Sequence, residues 1–438
     1  MTSGAAPSTD ASTPSGRTAG LRRLVPSLSA VGLALAATYA AVLVVLLPGQ
    51  VAAVDPDAKV ANLAVVTTTS FALTLLAQPL IGTLSDRTGG RFGRRSPWML
   101  GCGAVAAALL VALGAAQTLP ALVVLWAFAQ FSLNGVDVAA AAAVPDQVPP
   151  ERRGTVFAVL GFAAVLGGAV GVVTAGGRGD RPDDVYTVLA VAVLAAVLAY
   201  VALDRDRPHF RPGGPPTLAG RSAPRERWTT AARRAADAVR REPAFTRGFV
   251  ARLLFVLAYQ LVYTFQLYVL VDHVGVPEER ADAVLVLLTV GTLVAILVGA
   301  VVCGWWSDRI GDRRVFLAAA SGLLAVALLV PLLVPTVAGM AVFAGLKGLA
   351  FGAFTACGTA LATEAMPQGS ATAGRDLGVY NVATNVPQTL APALAAALVG
   401  TAGYPALFVT AVAVACAAVW VSVRIPAPTR GTGGSPVP

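Results

Sequence analysis

Apolar runs of about twenty residues, separated by short polar joins, recur along the whole chain. They fall at about 28–47, 60–83, 98–116, 120–143, 155–176 and 185–203, and again at 248–271, 282–304, 315–334, 336–360, 376–399 and 404–423. Each is long enough to cross a hydrocarbon layer, which takes roughly 20 helical residues. A lone apolar run crosses as a helix, because every backbone amide is then bonded within the segment. The pattern therefore predicts an all-α polytopic membrane protein with twelve transmembrane helices in two six-helix, pseudo-symmetric halves. The first run exceeds a secretory h-region and reads as an uncleaved helix. Residues 1–23, rich in Ser, Thr, Pro and Gly, read as a disordered tail, followed by an N-terminal half at 24–203. A basic linker at 204–247, a C-terminal half at 248–424 and a Pro/Gly-rich tail at 425–438 complete the chain. The joins at 116–120 and 334–336 are so tight that the helix count rests on them.

Composition agrees with lipid as the solvent. The 438 residues are 56% hydrophobic and only 13% charged, against roughly 25% charged in soluble domains. The formal net charge of +9 would suggest nucleic acid if it formed a patch. Instead the cations sit between the apolar runs, which points to membrane topology and away from nucleic acid. With the N-terminus placed in the cytoplasm, cytoplasmic segments hold 26 Lys and Arg and outer loops hold four: Lys59, Arg178, Arg181 and Arg280. This asymmetry places both termini inside, in a multi-pass protein of a cell membrane, read as the bacterial plasma membrane. Eleven of the arginines fall in 204–247. Within that linker, residues 226–242 form a basic amphipathic pattern with Trp228, Ala232, Ala235, Ala236 and Val239 on one face. Such a helix fits either an anionic inner leaflet or a solvated linker. Cys102, Cys303, Cys357 and Cys416 all lie in apolar runs, and His209 and His273 are far apart. No metal site, cofactor or disulfide framework follows from them.

Two loops repeat. The loop after the second run reads Gly82-Thr-Leu-Ser85-Asp86-Arg87 and continues to Arg91, Gly93, Arg94 and Arg95; the loop after the eighth reads Gly304-Trp-Trp-Ser307-Asp308-Arg309, then Asp312, Arg313 and Arg314. A second pair matches: Pro145-Asp146-Gln-Val-Pro149 leads to Arg153-Gly154, and Glu364-Ala-Met-Pro367 leads to Gly374-Arg375. Internal repeats of this kind typify secondary transporters. The Gly82–Arg95 stretch resembles the signature loop of the major facilitator superfamily, with a degenerate second copy at Gly304–Arg314. Its wider context, Pro79-x-x-Gly82-x-x-Ser85-Asp86 and Arg91-x-Gly93-Arg94-Arg95-x-Pro97-Trp98, is most similar to the glycoside–pentoside–hexuronide and sucrose-type cation symporters. Cation-dependent members carry an acid just before that proline, whereas here the residue is Gln78, which argues against sodium. The fifth helix reads Leu166-Gly-Gly-Ala-Val-Gly171, without the Gly-Pro of the drug antiporters. The resemblance implies a cytoplasmic gate built from Gly82, Asp86, Arg87, Arg94, Arg95, Arg153, Asp308, Arg309 and Arg375, latching the halves in the outward-open state. It also implies that helices one, four, seven and ten line a central cavity.

Charged groups inside a bilayer are costly and mark function by default. Three helices carry polar trios at offsets of zero, four and seven, which share one helix face. They are Gln130, Asn134 and Asp137 in the fourth, Tyr259, Tyr263 and Gln266 in the seventh, and Asn381, Asn385 and Gln388 in the eleventh. Asp137 is the one carboxylate well inside a helix and is the expected proton carrier. Lys347, near the middle of the tenth helix, is placed either opposite Asp137 or against an anionic group of the substrate. Arg252 is expected to snorkel to the inner surface. Pro387 and Pro392 are expected to break the eleventh helix locally. Tyr259 and Tyr263 offer faces for stacking on a sugar ring. The leading reading is a monomeric, proton-coupled symporter of a small polar, sugar-like solute. A proton-driven exporter of small organic compounds is the alternative, and a non-transporting receptor on the same scaffold a second. An enzyme is not expected, because neither an intramembrane acidic cluster nor a histidine base is present.

Overall fold

Membrane-length helices account for nearly all of the described chain. The computed structural model describes residues 14–88, 95–177, 181–203, 243–310, 312–364 and 373–426, with some side chains within those helices excepted. The first spanning unit, α1, runs Pro14–Ala40, passes through a π-helical turn at Ala41–Leu46 and resumes at Leu47–Val54. Then follow α2 (Lys59–Arg87), α3 (Ser96–Gly114), α4 (Leu119–Gln147), α5 (Pro150–Gly176) and α6 (Pro182–Leu203). In the second half, α7 runs Pro243–Tyr263, is interrupted, and continues as Gln266–Tyr268 and a π turn at Val269–His273. After it come α8 (Glu278–Ile310), α9 (Arg313–Leu333) and α10 (Val337–Glu364). A last helical stretch, Ala373–Val423, is broken at Gly403, whose φ of 75° lies outside the helical region. The break divides it into α11 (373–402) and α12 (404–423), so the described residues hold twelve spanning units.

Proline at the first helical turn is favourable because its missing N–H has no helical partner to lose. That accounts for α4, α5 and α6 starting at or beside prolines. It also explains a departure from expectation. The first helix reaches back to Pro14, inside the segment read as a disordered tail. The basic pattern at 226–242 lies outside the described residues, but the last linker residues, from Pro243, already belong to α7. Pro387 and Pro392 do not break α11 as expected; the backbone stays helical through both, and the only break is at Gly403. A membrane helix tolerates proline where neighbours and side-chain hydroxyls bond the freed carbonyls.

The two halves pack alike. In the first, α1 lies on α5 and α6, α2 on α4, and α3 on α4 and α6. In the second, α7 lies on the α11–α12 stretch, α8 on α10, and α9 on α10 and on that same stretch. Between halves, α2 meets the α11–α12 stretch and α5 meets α8. Close helix approach in lipid relies on small residues. A Cβ added at Gly167 or Gly171 would overlap the backbone of Leu33 or Ala37 in α1, and one at Gly348 or Gly352 would overlap that of Thr292 or Ile296 in α8. Trp305, Trp306 and Trp420 face outward at the signature-loop ends of α8 and α12, as expected of aromatic side chains at a membrane interface.

Candidate functional site

Between the halves lies a cavity of about 380 Å³, within the range of small-molecule sites. Its wall draws on α1 (Tyr39, Leu43), α2 (Phe71, Thr74, Gln78), α4 (Gln130, Asn134) and α7 (Tyr259, Gln260, Tyr263, Gln266). It continues over α8 (Thr289, Thr292, Leu293), α10 (Lys347, Phe351) and α11 (Thr384, Asn385, Gln388). Amphipathic spacing explains why these side chains converge. Gln130 and Asn134 are four apart, as are Tyr259 and Tyr263, so each pair lies on one helix face. Gln266 stands beyond the interruption of α7, yet the turn at Thr264 and Phe265 returns it to the same wall.

Among the described residues, Lys347 is the one charged side chain on this wall. It is 1% exposed, and its Nζ donates to Gln266 Oε1 at 2.9 Å. The Gln266 amide is oriented in turn by donating from Nε2 to the Tyr263 carbonyl. The ammonium also faces the rings of Phe343 and Tyr259, 4.8 and 5.4 Å from their centroids. Tyr259 stacks on Tyr263 with 5.8 Å between centroids and packs on Phe351 at 4.5 Å, giving the cavity an aromatic floor beside the cation. The buried Tyr39 hydroxyl, Gln130 Oε1 and Thr289 Oγ1 have no hydrogen-bond partner among the described residues.

Of the sequence-derived candidates, Gln130, Asn134, Tyr259, Tyr263, Gln266, Lys347, Asn385 and Gln388 all reach the cavity. The Asn381 side chain lies outside the described residues. Asp137 does not face Lys347. It stands beyond Asn134 toward the signature-loop end of α4, off the cavity wall. The seven-residue offset carries it down the helix as well as round it, which separates it from Lys347. It remains within Coulombic reach of the Tyr39 hydroxyl. Arg252 does not snorkel outward; its Nε donates to Thr384 Oγ1 at 2.8 Å, on the cavity wall. Several lining residues went unrecognised in the sequence, among them Tyr39, Phe71, Thr74, Thr289 and Thr292. Gln78 was noticed only as a departure from the cation-dependent pattern. Its Oε1 accepts from Asn385 Nδ2 at 3.1 Å and so ties α2 to α11 across the halves.

At the signature-loop end, the side chains of Asp86, Arg87, Arg94, Asp308 and Arg375 lie outside the described residues. The gate residues that are described act within their own half. Arg95 donates to Ser85 Oγ at 2.6 Å and to Asp146 Oδ2 at 3.0 Å, pinning α2, α3 and α4 together. Arg153 bonds the Val148 and Pro145 carbonyls at the end of α4. A Cβ at Gly82 would make only ordinary contact with Val138, so size alone does not demand glycine there. Arg309, expected in the latch, instead lies on the Trp305 ring of its own helix; an amphipathic pair at an interface is satisfied locally. In the second copy, Asp312 caps α9 through the Arg314 N–H and pairs with the Arg314 guanidinium. The hydrogen bond from that guanidinium holds the Asp312 carboxyl below the usual carboxylate range. Arg314 also reaches the Ile425 carbonyl after α12.

The opposite end carries bonds across the halves that the sequence did not suggest. Lys59, at the start of α2, pairs with Asp272 in the π turn of α7 at 2.7 Å. Asp272 also accepts from the Tyr404 hydroxyl at 2.8 Å. The Tyr268 hydroxyl donates to the Pro48 carbonyl of α1 at 2.9 Å, and Lys59 lies 5.2 Å from the centre of the Tyr268 ring. Both π-helical turns, in α1 and α7, sit beside this closure. Such turns recur at functional sites.

Solved structures share this architecture. A mutant of the nucleoside transporter NupG aligns with a TM-score of 0.69 over 92% of this chain and 99% of its own, at 14% identity. A bacterial homolog of the human lysosomal transporter Spinster aligns in two inward-facing structures. The unoccupied one has a TM-score of 0.61 over 94% of this chain and 95% of its own at 15% identity. The occupied one has a TM-score of 0.62 over 94% and 97% at 14% identity. The sequence matches none of the curated proteins compared with it. The family model of the Major Facilitator Superfamily matches residues 28–298 and 282–436. With twelve helices in two like halves around one polar cavity, the chain belongs to the Major Facilitator Superfamily.

Proposed function

We propose that this protein is a secondary active symporter that carries a small polar, sugar-like solute by alternating access, coupled to protons. The observation that carries the reading is the cavity itself: polar side chains from both halves meet there, and the end opposite the signature loops is bonded shut. Residues 130, 134, 259, 263, 266, 347, 385 and 388 are assigned to the solute. On the orientation read from the positive-inside rule, the closed end is the outer one, so the arrangement corresponds to an inward-facing or occluded state. The similar structures include a protein named as a nucleoside transporter, and a nucleoside is also a small polar solute with a sugar ring. Asp137 is assigned to the proton. It lies in the α4 span three residues beyond the cavity-lining Asn134, within Coulombic reach of Tyr39 in the cavity wall. Proton binding there would therefore act on the solute site without an ion pair to Lys347.

Solutes are first chosen from a library of sugars and related compounds by thermal stabilisation of the purified protein. Uptake is then followed in proteoliposomes under an imposed pH gradient. Wild type is expected to accumulate the solute uphill; Asp137→Asn is expected to lose accumulation but keep exchange of labelled for unlabelled solute. Wild-type accumulation by Asp137→Asn would remove Asp137 as the proton carrier. Absence of both flux and exchange for every stabilising solute would favour a receptor. Orientation is read separately: cysteines at positions 57 and 230 should react with an impermeant reagent from outside and inside respectively.

A further inference from the structure

Among the described residues, Lys347 is a buried cation without an anion. It lies ten residues into α10 from Val337, about 15 Å along the helix at 1.5 Å per residue, near the middle of a bilayer core ~30 Å thick. Among the described residues, each ion pair lies elsewhere: Lys59 with Asp272, Arg95 with Asp146, Arg181 with Asp184 and Arg314 with Asp312. Among the described residues, no Asp or Glu lines the cavity. An ammonium offers three donors, and Lys347 has one protein acceptor, Gln266 Oε1. The flanking Phe343 and Tyr259 rings ease the charge through their negative faces but accept no strong hydrogen bond. A buried charge normally carries its partner with it, and here the cavity is the space in which a partner would stand.

We infer that the transported solute carries a carboxylate-type anion, that Lys347 is the residue that binds it, and that the neutral side chains of the first half hold the solute's uncharged body. The inference rests on the transport reading of the same cavity and narrows it from a polar solute to an acidic one. The two halves then divide the work. The second half supplies the cation and the aromatic floor of Tyr259, Tyr263 and Phe351, suited to the flat face of a ring. Across the cavity, Gln130 and Asn134 supply neutral amide groups that recognise hydroxyls. Carboxylate and ammonium neutralise one another on binding, so a loaded cavity has no net charge to move past the apolar wall. This gives the lysine a part in transport as well as in affinity: the empty protein keeps an uncompensated charge at the midplane, and the occupied one does not.

The test uses full-length protein in detergent and a matched panel: glucuronate, glucuronamide and glucose, with 4-hydroxybenzoate and 4-hydroxybenzamide. Thermal unfolding is recorded for wild type, Lys347→Met and Lys347→Arg. Without any solute, Lys347→Met is expected to unfold at a higher temperature than wild type, because it removes a buried cation that has no partner. A lower temperature would show that the bond to Gln266 and the ring contacts outweigh any cost of an unpartnered charge, and would overturn the inference. With solute, a carboxylate of the panel should raise the wild-type unfolding temperature more than its amide or neutral counterpart does. That increment should vanish in Lys347→Met and persist in Lys347→Arg. Equal stabilisation by charged and neutral partners, or no panel member that distinguishes wild type from Lys347→Met, overturns the anion assignment. A neutral solute that both stabilises and is accumulated in proteoliposomes overturns it while leaving the transport reading standing.

Discussion

Replacing Asp272 by Asn should open the end opposite the signature loops. Asp272 is the hub of that closure, pairing with Lys59 at 2.7 Å and accepting from Tyr404 at 2.8 Å. An exposed ion pair contributes about 0.2–1 kcal/mol. The two side chains here are only 19% and 28% exposed, which places the pair toward the upper end. The Tyr404 bond joins α12 to α7 within the second half, so it persists in both states and does not add to the closure. The closed state should therefore lose up to about 1 kcal/mol, or roughly fivefold in the ratio of closed to open protein. The assay is the reaction rate of a cysteine at position 43, on the cavity wall, with an impermeant maleimide added from outside. The four native cysteines, none of them in a disulfide, are replaced first. Labelling should be up to roughly fivefold faster in Asp272→Asn, on the same arithmetic. The charge-swapped pair Lys59→Asp with Asp272→Lys should slow it again. An unchanged rate in Asp272→Asn would show that the pair does not hold the halves together, and the argument from this closure would fail.

Other perturbations probe the frame. Gly352→Val should lower the unfolding temperature, since even a Cβ there overlaps the backbone of α8 at Ile296; overpacking costs about 1–3 kcal/mol. Arg95→Met frees Ser85 and strands Asp146, with a loss of roughly 1–3 kcal/mol; an unaltered thermal midpoint would make that network dispensable. Asp312 has a carboxyl held below its usual range by the Arg314 hydrogen bond. Its contribution is therefore complete above the unfolded pKa of about 4 and is lost as pH falls through the lower folded value. Thermal midpoints recorded downward from pH 5 should show a smaller acid-side loss in Asp312→Asn than in wild type, and the difference should be small because the pair is partly exposed and screened by solvent.

Fold and site were legible in the sequence to different depths. Helix count followed from run length, and the repeat followed from Gly82–Arg95 and Gly304–Arg314. The cavity was legible wherever polar residues recur at helical spacing, as with Gln130 and Asn134 or Asn385 and Gln388. It was less legible in α1, α2 and α8: Tyr39 has no lining partner at helical spacing in α1, and the pairs Thr74 with Gln78 and Thr289 with Thr292 rest mainly on hydroxyls. Those of Thr74 and Thr292 bond back to their own helix carbonyls and so pass for ordinary membrane residues. The π turn at Ala41–Leu46 shifts the register of α1 just past Tyr39, which a 3.6-residue pattern does not follow. Asp137 illustrates the limit of a face argument: a shared face fixes direction, while seven residues of rise take the carboxylate out of reach of Lys347. The closing pair Lys59 and Asp272 joins residues 213 apart in sequence, a contact that only the packing of the two halves creates.

The central claim is that the two halves move about this cavity so that its ends open in turn. Distances between spin labels test it most directly, with one pair at positions 57 and 278 on the closed end and one at 152 and 310 on the signature-loop end. Adding a stabilising solute, or introducing Asp272→Asn, should change the two distances in opposite senses, one pair separating as the other draws together. Distances that stay fixed under both perturbations, or that lengthen together, would contradict alternating access in this protein.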